Sequence, residues 1–126
     1  MDIIISNSSS SPIYEQIKTQ IKDKILSGAL KEGEPLPSMR LLAKELRISI
    51  ITTKRAYEEL EKEGLIESFT GKGSFVKKVS KDYLRNTLFY EIEVLLEQVV
   101  EKADLAGLSR DDVMEMLEVV YDSGEV

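Results

Sequence analysis

The chain has 126 residues, 42% of them apolar and 32% charged, with 17 Lys/Arg against 23 Asp/Glu for a net charge of −6. A length of this order suits one ordinary domain, or a small domain with an appendage, and leaves little room for a large catalytic architecture. Cysteine and histidine are both absent, which removes disulfides, thiol and imidazole nucleophiles, His- or Cys-ligated metal and the usual near-neutral proton shuttle, so no catalytic residue, cofactor or metal is expected.

The chain opens on Asp2-Ile3-Ile4-Ile5, a β-branched run suited to a small strand, and continues through the flexible Ser8 to Ser11 tract. Pro12 fits the first position of a helix with Ser11 as its cap, and Ile13, Ile17, Ile21 and Ile25 recur every four residues on one face. Gly28 ends that helix. Gly28, Gly33, Pro35 and Pro37 then hold the chain in a loop, since this density of glycine and proline supports no regular structure.

Ser38 is a good cap for a second, short helix carrying Leu41, Leu42 and Leu46 inward. Ser49 caps a third, predicted to run to Glu63 with Gly64 as its C-cap. In this third helix Thr53, Ala56, Tyr57 and Leu60 share one side, while Ile50, Ile51, Lys54, Arg55 and Glu58 fall on the others. Two strand-like runs, 65–68 and 74–77, are joined through Phe69-Thr70-Gly71-Lys72-Gly73, which places glycines where a hairpin tip needs positive φ.

A long helix is predicted from Lys81 to about Asp104. Its stripe of Leu84, Leu88, Ile92, Leu95, Val99 and Ala103 is widened by Phe89, Leu96 and Val100. Gly107 breaks it, and Ser109 with Asp112 forms a Ser-x-x-Asp start signal for a last helix bearing Val113, Leu117, Val120 and Tyr121.

Charge divides along the same line. Residues 1–78 carry 13 Lys/Arg against 11 Asp/Glu, while residues 79–126 carry 4 against 12. The first half can face a polyanion and the second is solvated or paired away from it, a split that the overall charge conceals. No apolar run approaches the ~18 residues of a membrane span, and the acidic start at Asp2 lacks a signal peptide's basic region, so a cytoplasmic location with no membrane partner is expected.

Three helices, a tight turn between the second and third, and a glycine-tipped hairpin describe a winged helix-turn-helix. The expected fold is mainly α with a small β wing: a DNA-binding domain over 1–78, then a two-helix dimerisation segment over 79–126. The stripe formed by Leu84, Leu88, Phe89, Ile92, Leu95, Leu96 and Val99 is too wide and apolar for a lone exposed helix. A second copy covers it most economically, and packing on the chain's own winged domain is the alternative. No deep effector pocket is expected within one chain, although a cavity at a dimer interface would leave room for a small-molecule effector.

The candidate contacts to double-stranded DNA follow from this placement. Ser38 opens a helix whose free amides suit a phosphate, and Arg40 has a planar fork for a phosphate or a guanine edge, against the plainer readings of a cap and a surface charge. Ser49 and Thr52 can donate to phosphates, and Lys54 and Arg55 supply charge. Ile50 and Ile51 either contact thymine methyls or pack against the wing or the first helix. Gly71, Lys72 and Gly73 bring backbone and one cation to the minor-groove rail, or make an ordinary solvated turn. Glu58, Glu59, Glu61 and Glu63 are a solvated helix surface beside Lys54, Arg55 and Lys62 rather than paired catalytic carboxylates.

In order and spacing, Pro12-Ile13-Tyr14, Gln16-Ile17, Gly28, Leu30, Gly33, Leu36-Pro37-Ser38, Arg40 and Leu42-Ala43 resemble the GntR family of regulators. Thr52-Thr53-Lys54-Arg55-Ala56-Tyr57-Glu58-Glu59-Leu60-Glu61, Glu63-Gly64-Leu65-Ile66 and Gly71-Lys72-Gly73-Ser74-Phe75-Val76 are similar to its YtrA-like branch. The resemblance spans roughly residues 12–78 and implies a homodimeric transcriptional repressor on a two-fold symmetric operator, with Arg40 on DNA. Many relatives have Gly where this chain has Arg47, and Arg or Pro where it has Ile50, so turn geometry and base contacts are expected to differ. A winged-helix protein-interaction module without DNA binding is the alternative that the acidic whole-chain charge keeps open.

Overall fold

The computed structural model describes residues 1–124 and divides into two compact units, Met1–Lys81 and a second that begins at Asp82. The first unit holds α1 (Ile13–Leu26), α2 (Met39–Leu46), α3 (Ile50–Lys62) and an antiparallel hairpin of β1 (Ile66–Phe69) and β2 (Gly73–Val76). The second consists of α4 (Lys81–Ala106) and α5 (Arg110–Gly124). Among the described residues no helix is long and apolar enough to cross a membrane.

The four-residue isoleucine period builds the first core. Ile17, Ile21 and Ile25 of α1 are buried against Ala56, Tyr57 and Leu60 of α3, with Leu42 of α2, Leu36 of the loop, and Leu65, Ile66 and Val76 of the wing completing the cluster. Each large apolar side chain withdrawn from water contributes about 1.5–3 kcal/mol, a favourable term that the entropy of ordering the chain largely offsets. A pairing of Ile66 with Val76 and of Phe69 with Gly73 sets the register of the wing, and the carbonyl of Leu65 accepts from the amide of Lys77 at 2.9 Å.

Four sequence expectations shift. Pro12 is itself the half-in residue before α1 and no side chain caps that helix; the Gln16 amide instead reaches back to the carbonyl of Ser11 at 2.9 Å. The segment at Ile3 to Ile5 is extended but unpaired as a strand. Gln20 clamps the backbone of Ile4 through both its amide atoms, at 2.8 and 2.7 Å, so α1 side chains take the place of a neighbouring strand. Leu41 is 48% exposed, because successive helical positions turn by about 100° and Leu42, Ala43 and Leu46 already claim the inner face. Phe69 belongs to β1 rather than to the hairpin loop.

In the second unit, Gly107 at φ +73° carries the chain out of α4, and the amide of Leu108 donates to the carbonyl of Ala103 at 2.9 Å. A reciprocal box opens α5: the Ser109 amide donates to Asp112 Oδ2 at 2.8 Å and the Asp112 amide to Ser109 Oγ at 3.1 Å. The hydrogen bonds it receives from the Ser109 amide and, second, from the Ser109 side chain hold the Asp112 carboxyl below its ordinary value. Ala103 is the one buried residue of this unit among those described. An apolar groove of about 410 Å³ runs between α4 and α5, lined by Leu96, Val99, Ala103, Leu108, Met116 and Leu117.

Candidate nucleic-acid interface

Two serines start the two helices of the turn. Ser38 Oγ accepts from the amide of Leu41 at 3.1 Å and so satisfies one of the unpaired N–H groups at the start of α2. Ser49 does the same for α3, accepting from the amide of Thr52 at 3.0 Å, and its hydroxyl also lies 2.8 Å from Thr52 Oγ1. One proton serves that mutual contact, which leaves one hydroxyl of the pair free to donate outward.

Between the helices the chain turns at Arg47, whose φ of +56° and ψ of +48° are left-handed, making it the one non-glycine with positive φ among the described residues. Relative to glycine an L-residue here carries roughly 1–2 kcal/mol of strain. The amide of Ile48 donates to Ala43 at 3.0 Å across this corner, which fixes the entry into α3.

The outer face of α3 is open. Ile51 is 80% and Ile50 47% exposed, neither joins the core cluster or the side chains packed on it, and Lys54, Arg55 and Glu58 share this open side. The two cations differ in commitment. Lys54 Nζ stands 3.9 Å from Glu58, a loose pair in which both side chains are more than half exposed, worth a few tenths of a kcal/mol. The Arg55 guanidinium lies over the Tyr14 ring, 3.9 Å from its centroid, and Nη2 donates to the Tyr14 hydroxyl at 3.3 Å.

Across from the start of α2 stands the wing. Gly71 at φ +76° takes the third position of the turn Phe69 to Lys72, where positive φ is required, and the Lys72 amide closes it on the carbonyl of Phe69 at 3.0 Å. Ser38, Arg40, Phe69, Thr70, Gly71 and Tyr57 line a cleft of about 410 Å³ between the two elements. The sequence-derived candidates therefore fall in two groups. Ser38, Arg40, Gly71 and Gly73 line the cleft, whereas Ser49, Ile51, Thr52, Lys54 and Arg55 lie along α3 and Lys72 stands exposed at the hairpin tip.

Three residues of this surface escape pattern reading. Tyr57 counts as core by its period, yet its hydroxyl donates to the carbonyl of Pro37 at 2.7 Å, tying the middle of α3 to the residue before the α2 cap. Burial pushes this phenol well above its ordinary 10.0, so it stays a neutral donor. Tyr14 carries no periodic signal that would link it to Arg55, and Phe69 enters the cleft as a strand residue with its ring 6.1 Å from that of Phe75. Glu63 leaves the solvated acidic face expected of it, with Lys18 at 3.7 Å and Lys22 at 3.3 Å, and so anchors α3 to α1. None of these carboxylates is arranged as a catalytic pair: Glu58 and Glu59 each face a lysine of their own helix.

The comparisons agree with this geometry. Residues 13–76 match the family described as bacterial regulatory proteins, gntR family. The chain is 36% identical over 118 residues to the HTH-type transcriptional repressor YtrA of Bacillus subtilis (strain 168), covering 94% of this chain and 91% of the relative. Among solved structures, YtrA from Sulfolobus acidocaldarius, a GntR-family transcription factor, superposes with a TM-score of 0.59 at 35% identity over 73% of this chain and 97% of that one. A structure of AraR(DBD) in complex with operator ORX1 superposes at 0.54 with 26% identity, over 60% of this chain and 95% of that one. With a winged helix-turn-helix whose third helix faces outward and a relative of matching length, this chain belongs to the gntR family of bacterial regulatory proteins, on its YtrA-like branch, and is a DNA-binding transcriptional regulator.

Proposed function

We propose that the protein is a cytoplasmic repressor that occupies a two-fold symmetric operator as a homodimer, with the first unit on DNA and the second holding the two copies together. The observation that carries this reading is the solvent-facing side of α3, which presents Ile50, Ile51, Lys54 and Arg55, in a unit that also holds the cleft between α2 and the wing. In this arrangement α3 lies in the major groove. Ser38 and Arg40 face a phosphate at the start of α2, and the Gly71-Lys72-Gly73 tip follows the sugar-phosphate rail. Lys54, the free hydroxyl of the Ser49–Thr52 pair and Arg55, steadied on Tyr14, add backbone contacts that set register without reading sequence.

The second unit supports pairing. Leu88, Phe89, Ile92, Leu95, Leu96 and Val99 are each 38–62% exposed on α4, and Leu84 is half-buried. A stripe of this width in water is a large cost that a second copy removes, and the α4–α5 groove offers the partner an apolar seat. A repressor role is supported by the name of the Bacillus subtilis relative. Mobility shifts on duplexes selected from random sequence, combined with sedimentation of the free protein, test the whole reading. The expected result is a dimer that prefers one palindromic duplex over random DNA at moderate salt, and a folded protein without that preference refutes it.

A further inference from the structure

Resting on the DNA-binding reading above, we infer that α3 reads thymine: Ile51 and Ile50 select operator half-sites by contacting the 5-methyl groups of thymines in the major groove.

The exposure of the two side chains is the starting point. Ile51 is 80% and Ile50 47% exposed at the first turn of α3, and neither joins the buried cluster or the partly buried side chains packed on it. Folding therefore gives no reason for large apolar groups here. Water disfavours them, and the fold would be served as well by the polar residues that helix surfaces ordinarily carry.

The polar groups around them narrow what they can read. A guanine edge is read best by a side chain that offers two parallel donors, above all arginine. Arg55 is the arginine of α3, and its guanidinium is held flat on Tyr14. Lys54 offers a single ammonium drawn toward Glu58, and the Ser49 and Thr52 hydroxyls are turned toward each other. The leading end of α3 thus presents two branched hydrocarbons and no free fork of donors. In the major groove the one apolar protrusion on any base pair is the thymine methyl. Successive helical positions diverge by about 100°, so Ile50 and Ile51 meet different base pairs.

Operators selected from random duplex are expected to carry A·T pairs under the start of α3. Replacing those thymines one at a time by deoxyuridine removes only the methyl, and each replacement at a contacted position is expected to raise Kd about fourfold, the equivalent of one buried methyl. Ile51→Ala, at a position with no core contact, is expected to bring the thymine-to-uracil ratio at its own position close to 1 while leaving the salt dependence of binding unchanged. Ile50→Ala does the same at a neighbouring position. Tight, sequence-selective binding that is indifferent to uracil, or a uracil effect untouched by either alanine, overturns the inference while leaving the regulator reading intact. Absence of selective binding by the folded dimer overturns that underlying reading, and the inference with it.

Discussion

The hydroxyl of Tyr57, in the middle of α3, donates to the carbonyl of Pro37 across 2.7 Å and so couples α3 to the residue that precedes the α2 cap. The start of α2 and the middle of α3 are thereby joined by one part-buried hydrogen bond. Tyr57→Phe keeps the ring in the core and leaves the Pro37 carbonyl without this donor, so a loss of about 1–2 kcal/mol in folding stability is expected. Operator affinity is expected to fall further than this at temperatures where the variant is fully folded, because Ser38 and Arg40 lose their spacing from α3. Denaturant unfolding and titration of operator DNA, run side by side, separate the two effects.

The same residue carries a pH signature. Burial raises the folded-state pKa of Tyr57 above its unfolded value near 10, so the folded protein keeps a proton that the unfolded chain gives up. Its contribution is complete below pH 10 and is lost as the pH climbs from the unfolded value toward the higher folded one. Unfolding free energy measured from pH 9 upward is expected to fall more steeply for the wild type than for Tyr57→Phe. Parallel slopes would show that this phenol is not the titrating group.

Arg40 tests the DNA contact with little risk to the fold, since its side chain is exposed at the edge of the cleft between α2 and the wing. Arg40→Ala is expected to leave the unfolding midpoint within about 0.5 kcal/mol of the wild type. If the guanidinium faces a phosphate, the slope of log affinity against log salt drops by about 1 and all duplexes weaken together. A loss confined to the selected operator would instead place Arg40 on a base edge.

Much of this surface was legible in the linear pattern. The every-fourth isoleucines marked the inner face of α1, Ser38 and Ser49 marked the two helix starts, and Ser109 with Asp112 marked the start of α5, since each signal is local and acts within four residues. What stayed hidden is what joins distant positions. Tyr57 and Pro37 are 20 residues apart, and Tyr14 and Arg55 are 41 apart, so neither bond leaves a periodic trace. Leu41 misled for a different reason: three leucines in a two-turn helix exceed what one face can bury, and the pattern does not say which of them is left outside.

Arg47 should be the weak point of the turn. Its left-handed backbone, at φ +56°, costs about 1–2 kcal/mol relative to glycine, partly offset by the greater freedom glycine gains in the unfolded chain. Arg47→Gly is expected to stabilise the first unit by roughly 0.5–1 kcal/mol, read as an upward shift in the denaturant midpoint with an unchanged slope. A net loss of stability would mean that the arginine side chain supplies more than its backbone costs.

In the proposed homodimer, pairing and DNA binding are assigned to different units. Ile92 is 53% and Leu95 59% exposed on α4, so neither side chain is needed to bury the core of the first unit. Ile92→Glu places a charge in the apolar stripe proposed to meet the second copy, where desolvating it without a partner is costly. The variant is expected to sediment as a monomer at concentrations where the wild type is a dimer, with the winged unit still folded. A monomer holds one half-site, and it forfeits the effective concentration that linkage gives the second α3, so operator affinity should fall by 100-fold or more (roughly the gain that linking two sites confers). Affinity for an isolated half-site should stay near the wild-type monomer value. If Ile92→Glu remains dimeric and binds the full operator unchanged, then the α4 stripe is not where the copies meet. The copies would then pair through some other surface.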